Sequence, residues 1–281
     1  MTSLIGNAPV DGVDVAALLG IPISAEQERA VQAPLKPCAV IAGAGTGKTT
    51  VMAARVVWLV ASRLVSPEEI LGLTFTNKAT AELSERIESN LTRVGLLTSE
   101  QPRPTVATYD SFAGTLVNDY GAWDGISTGA HLITGARAYQ LAAEVVMGLD
   151  KAPLAATHMG PTFIAQAVVK LAGAMASHDA SPGKVRRADA RWRQMLLAAP
   201  TKRGGDRYAD IDKWLSRVDE REELLDLVAA YQNLKKERGL VEFGDRMVQA
   251  LHLVTHHPRV GEELRARYRV VLLDEYQDTS S

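Results

Sequence analysis

The stretch Ala42-Gly43-Ala44-Gly45-Thr46-Gly47-Lys48-Thr49-Thr50 constrains the fold of this chain more than any other. It lies between a short apolar run, Ala39-Val40-Ile41, and a helix-compatible segment from Val51 to Val60. Its glycines let the backbone turn tightly and aim several N–H groups at one point, which is how the start of a helix holds phosphate oxygens. In that arrangement Lys48 reaches the β- and γ-phosphates of a nucleotide and Thr49 offers its hydroxyl to Mg²⁺. The segment from Ala42 to Thr50 is therefore expected to bind nucleotide, with a buried strand ahead of it and a helix behind. Ala42 stands where the strict pattern has glycine.

With 281 residues the chain can build two compact units, each with its own core. A formal net charge of −2 leaves room for a local basic patch, so overall charge decides nothing about nucleic acid. The single cysteine, Cys38, cannot form an internal disulfide, and its place before an apolar run predicts a buried, reduced thiol, in keeping with a cytoplasmic protein. No basic segment precedes the N-terminal apolar residues, and no apolar run approaches the length of a bilayer span, so no membrane partner is expected. The histidines lack paired-ligand spacing, which leaves nucleotide-bound Mg²⁺ as the expected metal.

Along the chain, Val15 to Leu19 reads as a short helix ending at Gly20. Ser24 can cap a second helix whose third residue is Gln27; the Gln27 amide could close that capping box or, upstream of a phosphate loop, present a donor and an acceptor to adenine. Ile70 to Thr76 is a buried-strand candidate that runs into a helix at Asn77. Its end places Phe75, Thr76 and Asn77 at the carboxyl edge of a sheet, where open α/β sheets bind ligands. Phe75 could stack on a base or fill the core. A third strand, Thr105 to Tyr109, ends in the similar set Asp110-Ser111-Phe112.

From Ala113 to Arg238 the pattern turns helical, with stripes at Ile164, Val168, Leu171 and Met175 and at Leu224, Tyr231 and Leu234. Between them Ser181 to Tyr208 reads as loop-rich and strongly basic, carrying Lys184, Arg186, Arg187, Arg191, Trp192, Arg193, Lys202, Arg203 and Arg207. Such a run can meet a nucleic-acid backbone or form a solvated face. Finally, Val270-Val271-Leu272-Leu273 delivers Asp274 and Glu275 to the end of a buried strand. Asp274 could hold Mg²⁺ and Glu275 could orient and deprotonate a water beside the γ-phosphate.

Taken in order, Gln27, residues 42–50, Leu73 to Ala79, Thr108 to Phe112 and Asp274-Glu275-Tyr276-Gln277-Asp278-Thr279 resemble the motifs of the UvrD/Rep family of superfamily 1 DNA helicases. The resemblance implies an α/β fold: a RecA-like P-loop NTPase domain with a parallel sheet, interrupted by an all-helical insertion. Residues 1–20 would be an N-terminal segment, 21–112 the first part of the ATPase domain, 113–240 the insertion and 241–281 the return. Val241-Glu242-Phe243-Gly244-Asp245 looks like a degenerate form of the acidic segment at that return.

By the same resemblance ATP and Mg²⁺ are the cofactors. Gln27 would read adenine, Ala42 to Thr50 would cradle the phosphates, Thr49 and Asp274 would serve Mg²⁺, and Lys48 and Glu275 would be catalytic. Phe75, Thr76, Asn77, Tyr109, Asp110 and Ser111 would line a path for single-stranded DNA, with Arg186 and Arg191 as further contacts and duplex DNA as a second partner. Thr50 stands where the family often has arginine, and Asp110 where it often has histidine. The family's later motifs and the arginines of its second motor domain are not among the 281 residues, so this stretch is expected to bind nucleotide and to hydrolyse it slowly or not at all. Met52 to Val60 and Thr108 to Val117 look most like the AdnB-type subunit of an actinobacterial helicase–nuclease, which implies a sister subunit. Two other readings compete: a nucleic-acid-binding module with a vestigial phosphate loop, and a small-molecule kinase.

Overall fold

The computed structural model describes residues 12–43, 45–127, 129–153, 158–202 and 205–278. Ala44, Arg203, Gly204 and Thr279 lie outside the described residues. In chain order the elements are α1 (Val15–Leu19), α2 (Ala25–Val31), α3 (Lys48–Ala61), β1 (Ile70–Thr74), α4 (Asn77–Arg93), β2 (Thr105–Thr108), α5 (Tyr109–Tyr120), β3 (His131–Leu132), α6 (Gly135–Met147) and α7 (Pro161–Ser177). They continue as α8 (Pro182–Leu197), α9 (Ala209–Glu237), β4 (Leu240–Val241), α10 (Phe243–His256), α11 (Pro258–Arg267) and β5 (Val270–Leu273). The chain divides into two compact units, one reaching Thr115 and resuming at Val254, the other Leu116–Leu253. Among the described residues no helix is long and apolar enough to cross a membrane.

The first unit is built on a parallel sheet in the order β2-β1-β5. All five residues of β1 are buried, as a strand covered on both faces must be. Leu83, Ile87 and Leu91 form an i, i+4 stripe on α4 that packs with Val56, Val57 and Leu59 of α3 and with Ile70. Each such buried side chain contributes roughly 1.5–3 kcal/mol. Register is fixed on both sides of β1: Thr74 lies opposite Thr108, and Leu73 opposite Leu273. Three strand ends therefore finish at one edge of the sheet.

Local signals set the helix starts. Ser24 and Gln27 form the expected capping box on α2, and Thr76 Oγ1 accepts from the Ala79 N–H to cap α4. The turn after β1 is held by Thr74, buried, whose hydroxyl shares a 2.5 Å hydrogen bond with that of Thr80. Arg55 ties the phosphate-loop helix to its neighbour: its guanidinium, buried on α3, donates to the carbonyl oxygens of Ala30, Val31, Ala33 and Pro34 at 3.3, 2.9, 2.8 and 3.4 Å. Those oxygens belong to the last turn of α2 and the segment after it, where helix carbonyls lack partners. Burial lowers the Arg55 pKa from its ordinary value.

Two expectations for this unit are corrected. Ala39-Val40-Ile41 is not a strand; Ile41 is 98% exposed, and no described strand pairs with this segment. A short apolar run becomes a strand only where a neighbour supplies the ladder, and β5 pairs with β1 on one edge alone. For the same reason Cys38 is exposed rather than buried.

In the second unit α6, α7 and α9 enclose Leu141, Ile164, Val168, Leu225, Val228 and Tyr231. The stretch 113–240 was expected to be helical throughout, yet it contains β3, paired in parallel with β4 through His131–Leu240 and Leu132–Val241. The portion from Ser181 to Tyr208 is not mainly loop: Ser181 caps α8, with Pro182 in its first turn, and the helix runs to Leu197. Frequent arginine had disguised a good helix-forming sequence. Lys235, its side chain 4% exposed, bridges Glu242 and Asp245 at 2.7 Å each, while the Tyr231 hydroxyl donates to Glu242. The acidic segment at 241–245 thus neutralises a buried ammonium.

Arg55→Met should destabilise the first unit by about 3 kcal/mol, because it strands buried carbonyls that now share a charged donor. Urea unfolding of the two proteins measures the difference.

Candidate nucleotide site and sheet edge

At the phosphate loop, α3 starts at Lys48 after Gly47, whose φ of 84° is left-handed, and no side chain caps the helix. The first-turn N–H groups are therefore free of a competing side-chain acceptor, which is the condition for anion binding at a helix N-terminus. A Cβ on Gly47 would lie 3.4 Å from Gln27 Nε2 in a strained backbone region, so glycine is required twice over. Gln27 serves both of its readings' geometry: Oε1 accepts from the Ser24 N–H at 3.0 Å, while Nε2 donates to Thr46 O at 3.0 Å. Its amide is thus held at the loop. Thr46 Oγ1 donates to Gly43 O at 2.8 Å, and Lys48 Nζ lies 3.5 Å from the same oxygen.

The acidic pair arrives on β5. The Asp274 N–H donates to Leu73 O at 2.8 Å, extending the ladder one residue past the strand. Glu275 then takes a left-handed φ of 48°, which costs a residue with a Cβ about 1–2 kcal/mol. Its carboxylate bonds Gln277 and lies 3.9 Å from Lys48 Nζ. Burial first, and then the neighbouring Glu275 charge, hold the Asp274 carboxyl above its ordinary range, against the opposing pull of the Glu275 N–H and Lys48. The structure brings together the loop lysine and both acids. Thr49 sits in the first turn of α3.

Adjacent strand ends place the other residues. Phe75 is 57% exposed, so it does not fill the core; Thr76 and Asn77, also exposed, start α4. Beyond the paired Thr108, Tyr109, Asp110 and Ser111 form the first turn of α5, with Ser111 locked to Thr108 by reciprocal bonds. The Tyr109 hydroxyl donates to Asp274 O at 3.0 Å, across from β2 to the end of β5. Tyr109 is thus a strut beneath the acidic pair. Burial and then the Asp274 and Tyr276 charges push its phenol up to about 12.

Arg186 and Arg191 lie on α8, in the other unit. Arg186 is engaged by Glu222 and Asp226, both at 2.6 Å, whereas Arg191 makes no ion pair among the described residues. Sequence reasoning missed Arg86, on α4, whose Nη1 donates to Thr50 Oγ1 at 2.7 Å. A cation thereby stands beside Thr50, the position where the resembling family often carries its own arginine. Its stepwise placement one residue before Ile87 of the buried stripe was the available signal. Arg55 was likewise missed.

A phosphate loop and paired carboxylates gathered at the carboxyl edge of a parallel sheet define a nucleotide-binding α/β protein. Residues 23–281 match the UvrD/REP helicase N-terminal domain, and the chain belongs to that family. It is 28% identical over 269 residues to DNA helicase II of Haemophilus influenzae, covering 95% of this chain and 32% of that protein. It is 26% identical over 263 residues to ATP-dependent DNA helicase UvrD1 of Mycobacterium leprae, covering 92% and 29%, and 25% identical over 258 residues to DNA helicase II of Rickettsia typhi, covering 92% and 33%. The chain spans about a third of the length of these relatives.

The Tyr109 strut predicts a pH dependence. The unfolded phenol ionises near 10 and the folded one near 12, so stability is full below pH 10 and falls as pH rises from about 10 to 12. Tyr109→Phe should cost about 1 kcal/mol at neutral pH and abolish this component of the alkaline loss. Thermal unfolding of both proteins between pH 8 and pH 12 (about the span of the two values) checks it.

Proposed function

We propose that this chain is the first motor segment of an ATP-dependent DNA helicase or translocase, a RecA-like domain with a helical insertion, that couples ATP hydrolysis to movement along single-stranded DNA. The observation that carries the proposal is the meeting of Lys48 and Glu275, with Asp274 beside them, at the uncapped start of α3. Family membership supports ATP as substrate and DNA as track, as do the printed names of the relatives. DNA repair or recombination is the setting such a motor fits.

The residues suit Mg²⁺–ATP. The helix start offers N–H groups to phosphate, Gln27 stands at the loop for adenine, and a hydroxyl with a carboxylate, Thr49 and Asp274, would hold Mg²⁺. When bound, the ion supplies neutralising charge to the phosphates. Lys48, now beside Glu275, turns to phosphate and frees that carboxylate to orient and deprotonate water. Phe75, Thr76, Asn77, Asp110 and Ser111 lie at the same sheet edge, where a single strand would pass, and duplex DNA would feed it. Tyr109 relays strand position to the acidic pair through its bond to Asp274. Slow hydrolysis by these residues alone follows from the charge stabilisation that a second motor domain supplies. The phrases similar to an AdnB-type subunit extend the proposal to a sister subunit in a helicase–nuclease.

Lys48→Ala should weaken binding of a fluorescent ATP analogue by about 100-fold, because it removes a charged phosphate donor. Glu275→Gln should leave that binding within about twofold while lowering DNA-stimulated hydrolysis in the longer protein by at least about 100-fold. Unchanged analogue binding in Lys48→Ala would favour the vestigial-loop reading.

A further inference from the structure

The groove between α8 and α9, of about 420 Å³, is lined by Trp192 and Ala188 on one helix and by Trp214, Arg217 and Arg221 on the other. The lining follows helical spacing: 188 and 192 on α8; 214, 217 and 221 on α9. Both indoles are open to solvent, Trp192 at 41% and Trp214 at 53% exposure. Large aromatic rings are seldom left in pairs on a surface without a partner to cover them.

Charge decides which partner. The acid in the groove, Asp189, is buried and fully occupied by Arg221, which grips it through two bonds of 2.8 and 2.5 Å. Arg217 makes no ion pair among the described residues, nor do Arg187 and Arg191 on the neighbouring turns of α8. The other α8 cations are spent: Lys184 on Asp179, Arg186 on Glu222 and Asp226, and Arg193 on Asp219. The arginines left over therefore cluster around the two exposed rings. A ligand that uses both features has flat π-faces at intervals along a polyanion.

We propose that this groove binds single-stranded DNA, with unpaired bases stacked on Trp192 and Trp214 and the phosphate backbone held by Arg217, Arg187 and Arg191. Duplex DNA does not fit this description, since its base faces are already stacked. The choice of DNA over RNA rests on the function proposed above; the groove itself does not depend on the nucleotide site.

The test is a titration of the 281-residue chain with oligothymidylate, read by quenching of tryptophan fluorescence and by anisotropy of a labelled strand of about 20 nucleotides. Oligothymidylate should quench the wild-type protein, and the double variant Trp192→Ala/Trp214→Ala should lose that quenching and bind at least about tenfold more weakly. Arg217→Glu should weaken binding by a similar factor and flatten its salt dependence. An abasic strand of equal length should bind wild type and the double tryptophan variant alike. Wild-type affinity in the double variant and in Arg217→Glu would overturn the proposal and leave the groove to a protein partner. ATP-analogue binding is read on the same samples: its loss only in Lys48→Ala, with DNA binding insensitive to the tryptophans, would sink the groove and leave the motor reading intact. Tryptophan-dependent DNA binding without nucleotide binding would do the reverse.

Discussion

The hydrogen-bond ladder on the two sides of β1 is the constraint on which the nucleotide site depends. Leu73 faces Leu273, its carbonyl takes the Asp274 N–H, and Thr74 faces Thr108. Side chains alternate along a strand, so a slip of one residue would turn Asp274 to the opposite face and carry Tyr109 away from it. Register is secured because β1 is buried throughout and its neighbours offer apolar residues to both covering helices. The chemistry at the edge is thus inherited from packing in the middle.

Around this edge the empty site is already under mutual restraint. Lys48 lies between Gly43 O and the Glu275 carboxylate, and Glu275 is held in a left-handed conformation that costs energy. Gln27 spends one end of its amide on capping α2 and the other on the phosphate loop, so the helix start and the loop cannot shift independently. Arg55 binds the far end of the same helix to α3. Together they give the loop a fixed neighbour on one side and the acidic pair on the other.

Features set by local chemistry were legible in the sequence. The Ser24 capping box, the end of α1 at Gly20, the buried strands β1 and β5 and the helix starting at Asn77 all follow from residues within a few positions of one another. What needed a distant partner was not. Ala39 to Ile41 has strand composition but no paired neighbour, and Cys38 is exposed with it. The α8 helix was hidden by arginines whose partners, Glu222, Asp226 and Asp219, lie on α9. Phe75 reads equally well as core or surface until the sheet edge is seen. Arg86 beside Thr50 and Tyr109 beneath Asp274 are contacts between elements far apart in sequence, and no spacing rule reaches them.

A crystal structure of the chain with Mg²⁺ and a non-hydrolysable ATP analogue tests the reading of the loop most directly. The phosphates should lie against the first turn of α3, with Lys48 moved off Glu275 onto phosphate oxygen, the metal on Thr49 and Asp274, and the base beside Gln27. An analogue bound elsewhere, or phosphates in the loop with Lys48 still on Glu275 and no metal at Asp274, would contradict it.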